Sequence, residues 1–318
     1  MEIEKEAVVI PDRPPVALKR KVDRKVLTSS LRAYLFLVPT FILIIVFSYY
    51  PAASALYYSF TSWNGVLVGE WIGLKNFVEM TQDKVLMASL SNMLKVIIWS
   101  LAITLTVPLF VAELIDSLRN GRAQYWYRLA FVVPIVVPHV VTLLVWRFIY
   151  DPDIGLLTGL LTSLGFEVNT RWLGDPNLAL YCLMFIGFPF AAGTNVLIYL
   201  AGLQAIDSEI RDSARLDGAT GWRRLRHIDL PLLRGQIRLL GILAMIGSIQ
   251  GFGAQLVLTR GGPGYATMVP GMWMYDQAFS YSRMGYAAAI GTTMFIVILI
   301  LTFVSMRMMR STTEYVAR

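Results

Sequence analysis

Charge is scarce in this sequence. Only 15% of its 318 residues are Asp, Glu, Lys or Arg, against 56% hydrophobic, where soluble domains carry about a quarter charged. A soluble fold of this length could bury a large core, but it would still need a charged surface, so the shortfall points to lipid as the solvent. Cysteine is scarcer still. The single Cys182 sits inside an apolar run, which excludes a disulfide framework or a cysteine metal site within the chain. The only two histidines, His139 and His227, fall at different depths and make no metal pair. No G-x-x-x-x-G-K-[ST] stretch occurs, so the chain has no P-loop with which to hold ATP. The charge that is present leans positive, at +7. With this much apolar sequence, an anionic membrane face is the expected neighbour rather than nucleic acid.

What is abundant is long apolar runs. A helix needs about 20 mostly apolar residues to cross a bilayer, and six segments qualify: Ala33 to Leu56, Leu90 to Ile115, Tyr125 to Ile149, Leu178 to Leu203, Ile237 to Leu258 and Tyr286 to Met306. Runs this long satisfy the backbone in lipid as helices, so the expected fold is an all-α integral membrane protein with six transmembrane helices. Residues 1–32 read as a basic tail rather than a removable signal peptide, because no short apolar core with a small-residue cleavage site occurs there. A six-span domain over 33–310 follows, then a short tail at 311–318.

Orientation follows from where Lys and Arg collect. One side holds the N-terminal tail, the Arg119/Arg122/Arg128 connection, the Arg211 to Arg238 connection and Arg307, Arg310 and Arg318. The other side holds only Lys75, Lys84, Arg171, Arg260 and Arg283 in its three connections. The rich side is expected to be cytoplasmic, with both termini on it. Lys95 and Arg147 lie near the outer ends of their spans, where long side chains snorkel to the headgroups.

The connection over 204–236 is the richest in local signals. Asp207 suits the N-cap of a short helix with Glu209 in its first turn. Gly218 can end that helix in the left-handed region, Thr220 can cap a second one, and Pro231 ends or kinks it. Composition alone allows a plain basic connection. The order Asp212-Ser213-Ala214, Asp217-Gly218-Ala219, then Ile228-Asp229-Leu230-Pro231 resembles the EAA loop of importer permeases in the ATP-binding-cassette superfamily. Trp71-Ile72-Gly73-Leu74-Lys75-Asn76-Phe77, Leu200 to Ile206, Leu258-Thr259-Arg260-Gly261-Gly262-Pro263 and Gly285-Tyr286-Ala287-Ala288-Ala289 are similar, in the family's order, to stretches of its maltose and glycerol-phosphate type members. The likeness is to the MalF/UgpA side of a heterodimer with the MetI-like type I importer fold.

That resemblance implies a bacterial inner-membrane permease subunit for carbohydrate import, which performs no covalent chemistry. Glu209, Asp212, Ser213, Ala214, Asp217, Gly218 and Ala219 would form the coupling helix that docks on an ABC ATPase dimer. Asp212 and Ser213 stand where the family usually has Glu and Ala. ATP and Mg would be held by that ATPase. The other implied partners are a second, MalG/UgpE-like permease and an extracytoplasmic solute-binding protein. For the substrate pathway, polar and aromatic residues inside the apolar runs are the candidates: His139, Phe190, Thr194, Asn195, Ser248, Gln250 and Gly251. By resemblance, His139, Thr194, Ser248 and Gly251 fall near positions that line the sugar site in maltose-type permeases. His139 could equally serve an interhelical hydrogen bond.

Two other classes fit less well. Asp151-x-Asp153 has the form of a glycosyltransferase metal pair, but it falls in an outer turn with no catalytic domain around it. A secondary transporter or channel without an ATPase would often carry acids in mid-span. Glu113 and Asp116 lie only at the inner end of the second apolar run.

Overall fold

The computed structural model describes residues 24–67, 69–167, 169–188 and 193–308. The chain divides into two units, 1–53 and 54–318. The first unit contains α1 (Arg24–Ile44) and a π-helical turn, Ile45–Tyr49; α2 (Tyr50–Tyr58) crosses the boundary. Helical backbone is already present at Arg24, where the described residues begin, and no Gly or Pro interrupts residues 24–32; the stretch apolar enough to cross a membrane begins at Tyr34, beside the expected Ala33. The remainder of the N-terminal tail, at 1–23, and the C-terminal tail, at 311–318, lie outside the described residues.

The second unit is helical. Among its described residues, α3 (Lys75–Gln82) leads into α4 (Lys84–Ser117), then α5 (Gly121–Val132), α6 (His139–Ile149) and α7 (Leu156–Ser163). Next come α8 (Ala179–Met184), α9 (Gly193–Gln204), α10 (Ser208–Leu216), α11 (Trp222–Arg224) and α12 (Leu230–Leu232). The last four are α13 (Arg234–Gln250), α14 (Gly253–Leu258), α15 (Pro270–Phe279) and α16 (Met284–Met308). Extended pairing among the described residues is limited to one isolated bridge, Thr61 to Trp71.

Among the described residues, four stretches are long and apolar enough to cross a membrane: Tyr34–Tyr58, Lys84–Ser117, Arg234–Leu258 and Met284–Arg307. The expected span from Tyr125 to Ile149 is not one straight helix. It is a pair, Gly121–Val136 and His139–Ile149, bent by 93°. Pro134 lies in a 3-10 turn and Pro138 precedes α6, and each proline removes a backbone donor and restricts the residue before it. The expected span from Leu178 to Leu203 is also divided. It stops at Met184, turns through Gly187 at a φ of 79°, and resumes as α9 at Gly193. Residues 189–192, between these pieces, are outside the described set.

Two apolar clusters sit at opposite ends of α4. One gathers Met80 and Leu86 with Met268, Met272, Trp273, Tyr286 and Ile290. The other gathers Leu109, Ala112 and Ile115 of α4 with Val196, Tyr199, Leu200 and Leu203 of α9 and Leu233 and Leu240 around α13. At 34 residues, α4 is about 50 Å long, so it reaches both clusters. Many large apolar side chains elsewhere, among them Phe110, Phe295 and Phe303, are exposed, as lipid-facing residues are.

Candidate functional site

The breaks in the helices make a cavity. Between the middle of α4, the start of α6, the end of α8, α9 and the α13–α14 break lies a space of about 430 Å³. It is lined by Trp99, Ser100 and Thr104 of α4, and by His139, Asn195, Ser248, Gly251 and Gln255. His139 reaches it because the Pro138 bend starts α6 at that residue. Asn195 lies two residues after Gly193, where α9 passes so close to α5 that a methyl group would overlap the carbonyl oxygen of Phe131. Gly251 ends α13 in an extended conformation, with its N–H donating to the Gly247 carbonyl at 2.8 Å.

Polar capacity in the cavity is uneven. The Ser248 hydroxyl donates to the Ala244 carbonyl at 2.7 Å, so its proton is spent on its own helix. Trp99 Nε1 donates to the Met184 carbonyl at 2.8 Å and its ring lies 4.6 Å from that of Phe185. It thereby holds the end of α8 against α4. The side chains of His139 and Asn195 make no hydrogen bond among the described residues, which leaves an imidazole and an amide free for a hydroxylated ligand. Thr194 and Gln250 are exposed and stand outside this cavity. Phe190 lies outside the described residues. Trp99 was not among the sequence candidates; the available signal was an indole in the middle of an apolar run rather than at its edge.

The second feature is the turn over 204–236. Asp207 occupies the N-cap position of α10 but makes no side-chain cap bond. Its expected role is carried by geometry alone. The C-terminal end behaves as expected: Gly218 has a φ of 71°, and the N–H groups of Gly218 and Ala219 donate to the carbonyls of Arg215 and Ala214 at 3.1 and 2.8 Å. These two bonds make a Schellman motif. Thr220 does not cap the second helix; Gly221, with a φ of 51°, takes that position. Pro231 is absorbed rather than helix-ending, because a π-helical turn over Leu225–Asp229 precedes it and helical backbone continues to Leu232.

Glu209, Asp212, Ser213, Asp217 and Gly218 are exposed, Ala219 is half-buried, and Ala214 is buried against its own chain. Leu216 and Trp222, flanking the Gly218 apex, are 90% and 72% exposed. Beneath this apex, Arg211 Nη1 lies 2.8 Å from Asp116 Oδ2 and its Nη2 donates to the Leu203 carbonyl. Arg224 bridges Glu113 Oε2 and Asp229 Oδ2, both at 2.8 Å. Asp212 pairs with Arg215 at 2.9 Å, both exposed, a contact that is cheap to exchange.

The Asp151 carboxylate is occupied by its own turn. Its Oδ1 accepts from the N–H groups of Ile154 and Asp153 at 3.0 Å, and these bonds hold its pKa below the usual carboxylate value.

Among the described residues, interrupted apolar helices thus surround a cavity, with an exposed helical turn at the arginine-rich end. Residues 105–314 match the family model described as "Binding-protein-dependent transport system inner membrane component". The chain belongs to that family. It is 33% identical over 268 residues to a probable ABC transporter permease of Pyrococcus horikoshii, covering 84% of this chain and 91% of the relative. It is 29% identical to the diacetylchitobiose uptake system permease of Streptomyces coelicolor, over 80% of this chain and 76% of that protein. The arabinooligosaccharides transport system permease of Bacillus subtilis is 28% identical, over 92% and 94%. A solved bacterial alginate ABC transporter, in complex with an alginate pentasaccharide-bound periplasmic protein, shares the fold: TM-score 0.81 at 22% identity, over 90% of this chain and 96% of that one. The chain is thus an inner-membrane transport component of an ABC system, and not itself an enzyme.

Proposed function

We propose that the chain is one of two permease subunits of an ATP-driven carbohydrate importer, with an oligosaccharide as substrate. In this reading the bent pair 121–149 and the divided segment 178–203 each cross the membrane. Together with the four longer stretches they make six crossings, with both termini cytoplasmic. A binding protein delivers substrate to the outer face, and nucleotide binding closes an ATPase dimer beneath the membrane. The turn from Glu209 to Ala219 carries that motion to the spans. His139, Asn195, Ser248 and Gly251 are proposed to contact substrate, with Phe190, Thr194 and Gln250 contributing where the second permease completes the pathway.

The observation that carries the reading is the α10 turn. It presents Leu216, Asp217, Gly218 and Trp222 outward while its base is ion-paired to α4. Bare apolar side chains at a rigid apex are what a protein partner takes as anchors. The relatives that transport diacetylchitobiose and arabinooligosaccharides support the substrate class. The test is affinity purification from gently solubilised native membranes, followed by mass spectrometry. An ABC ATPase and a second permease should be retained with the intact chain, and the ATPase should be lost on deleting Asp212 to Ala219. Recovery of the chain alone, still mediating flux, would overturn the ATPase-coupled reading in favour of a secondary transporter.

A further inference from the structure

Helix α4 lines the cavity at its middle and is ion-paired to the docking turn at its end. Its middle lines the cavity through Val96, Trp99, Ser100, Ile103 and Thr104. Its end carries Glu113 and Asp116, which are three residues apart and so share a face. Thr104 and Glu113 are nine residues apart, or about 14 Å along the axis. Pro108 lies between them and cannot donate to the Thr104 carbonyl. That gives the helix a defined flexing point below the cavity.

The connection to the docking turn is ionic and largely dry. Asp116 is 7% exposed and Asp229 fully buried, while Arg211 and Arg224 are each 20% exposed. Arg211 sits on α10, before the apex, and Arg224 on α11, after it. Both sides of the apex are thereby clamped to one helix. The chain joins the turn covalently to α9 and α13, but α4 lies about a hundred residues away, at separations of 95 and 111. The apolar cluster beneath, Leu109, Ala112 and Ile115 against α9 and α13, is non-directional and lets helices slide. Charge-assisted hydrogen bonds hold position.

We propose that Glu113 and Asp116, with Arg211, Arg224 and Asp229, form the joint through which movement of the docking turn reaches the cavity-lining part of α4. These are positioning residues; none of them touches the cavity. The inference rests on the ATPase-coupled reading above.

The test needs no substrate. In the complete transporter, with second permease and ATPase bound, Thr104→Cys is placed in the cavity; the native Cys182 is buried. Its modification rate by a water-soluble methanethiosulfonate reagent is measured with and without ATP plus vanadate. With the joint intact, nucleotide should change the rate about fivefold or more. With Asp116→Asn or Glu113→Gln added, the nucleotide-free rate and ATPase retention should stay as they were, and the nucleotide effect should fall below about twofold. An undiminished effect in both variants overturns the joint. Should neither variant assemble, Arg224→Lys keeps the charge and removes the planar fork that spans Glu113 and Asp229. A partial loss of the effect then supports the joint and a full effect overturns it. Absence of any nucleotide effect with the joint intact, or of a bound ATPase, sinks the ATPase-coupled reading itself, and the joint with it.

Discussion

The carboxylate of Asp83 joins three helices. It caps α4 by accepting from the N–H groups of Val85 and Leu86 at 2.9 and 3.0 Å. It also accepts from Trp273 Nε1 of α15 at 2.7 Å and from the Tyr286 hydroxyl of α16 at 2.8 Å. Burial pushes the Asp83 carboxyl up, and the four bonds outweigh it, so its pKa ends below the ordinary value. A depressed carboxylate contributes stability that is fully present above its unfolded pKa of about 3.9 and is lost as pH falls through the lower folded value. The contribution should therefore be flat from neutral pH to about 4 and disappear only below it. Asp83→Ala removes a helix cap and two charge-assisted bonds, an expected loss of about 2–4 kcal/mol. Thermal unfolding in detergent, followed by tryptophan fluorescence, checks both the loss and its insensitivity to pH between 5 and 8. At Gly218, a side chain must adopt a φ of 71°, which costs about 1–2 kcal/mol. Gly218→Val should therefore weaken ATPase retention while leaving the unfolding midpoint of the membrane helices in place. Equal retention would show that the apex tolerates another backbone shape.

At the scale of elements, continuity was legible only where nothing in the backbone interrupted it. α4 and α16 run as apolar sequence runs suggest, because hydropathy and helical continuity coincide there. The segments 125–149 and 178–203 are just as apolar, yet the first bends at Pro134 and Pro138 and the second at Gly187. A hydropathy window averages over such breaks. Those same breaks deliver His139 and Asn195 to the cavity, so these residues were readable as candidates while the way they converge was not. The joint was half readable: Glu113 and Asp116 have helical spacing, but their partners lie beyond two further apolar segments in the sequence. Buried α15, which carries Met272 and Trp273, is too short for any apolar-run argument to find. Gly193 tests this view of the breaks. A methyl group there would overlap the Phe131 carbonyl, so Gly193→Ala should cost about 1–3 kcal/mol through overpacking. Gly235 is also helical but has nothing within 4 Å of such a group. Gly235→Ala should therefore leave stability unchanged or raise it by up to about 1 kcal/mol. Unfolding midpoints of the two variants, measured side by side, decide whether close helix crossing or helix propensity governs α9.

The whole molecule turns on the divided segment. Only one proposed crossing separates the outer turn at Asp153 from the docking turn at Asp217, and that crossing is 178–203. Its helices are short: six residues in α8 and twelve in α9, about 9 and 18 Å, against a hydrocarbon core of about 30 Å. They can span it only together with the residues between them. The distribution of arginine argues that they do. Arg211, Arg215, Arg223, Arg224 and Arg226 lie within one connection, whereas the connection between 150 and 178 has only Arg171; an unequal division of this kind is what sets orientation. Asp153 and Asp217 are both exposed, and the buried Cys182 is the one native thiol. A membrane-impermeant maleimide should label Asp153→Cys in intact cells and leave Asp217→Cys untouched. In inverted vesicles the pattern should reverse. If both positions label from the same side, the segment 178–203 does not cross. The docking turn would then face the binding protein rather than an ATPase, and the importer reading would fail at its most consequential joint.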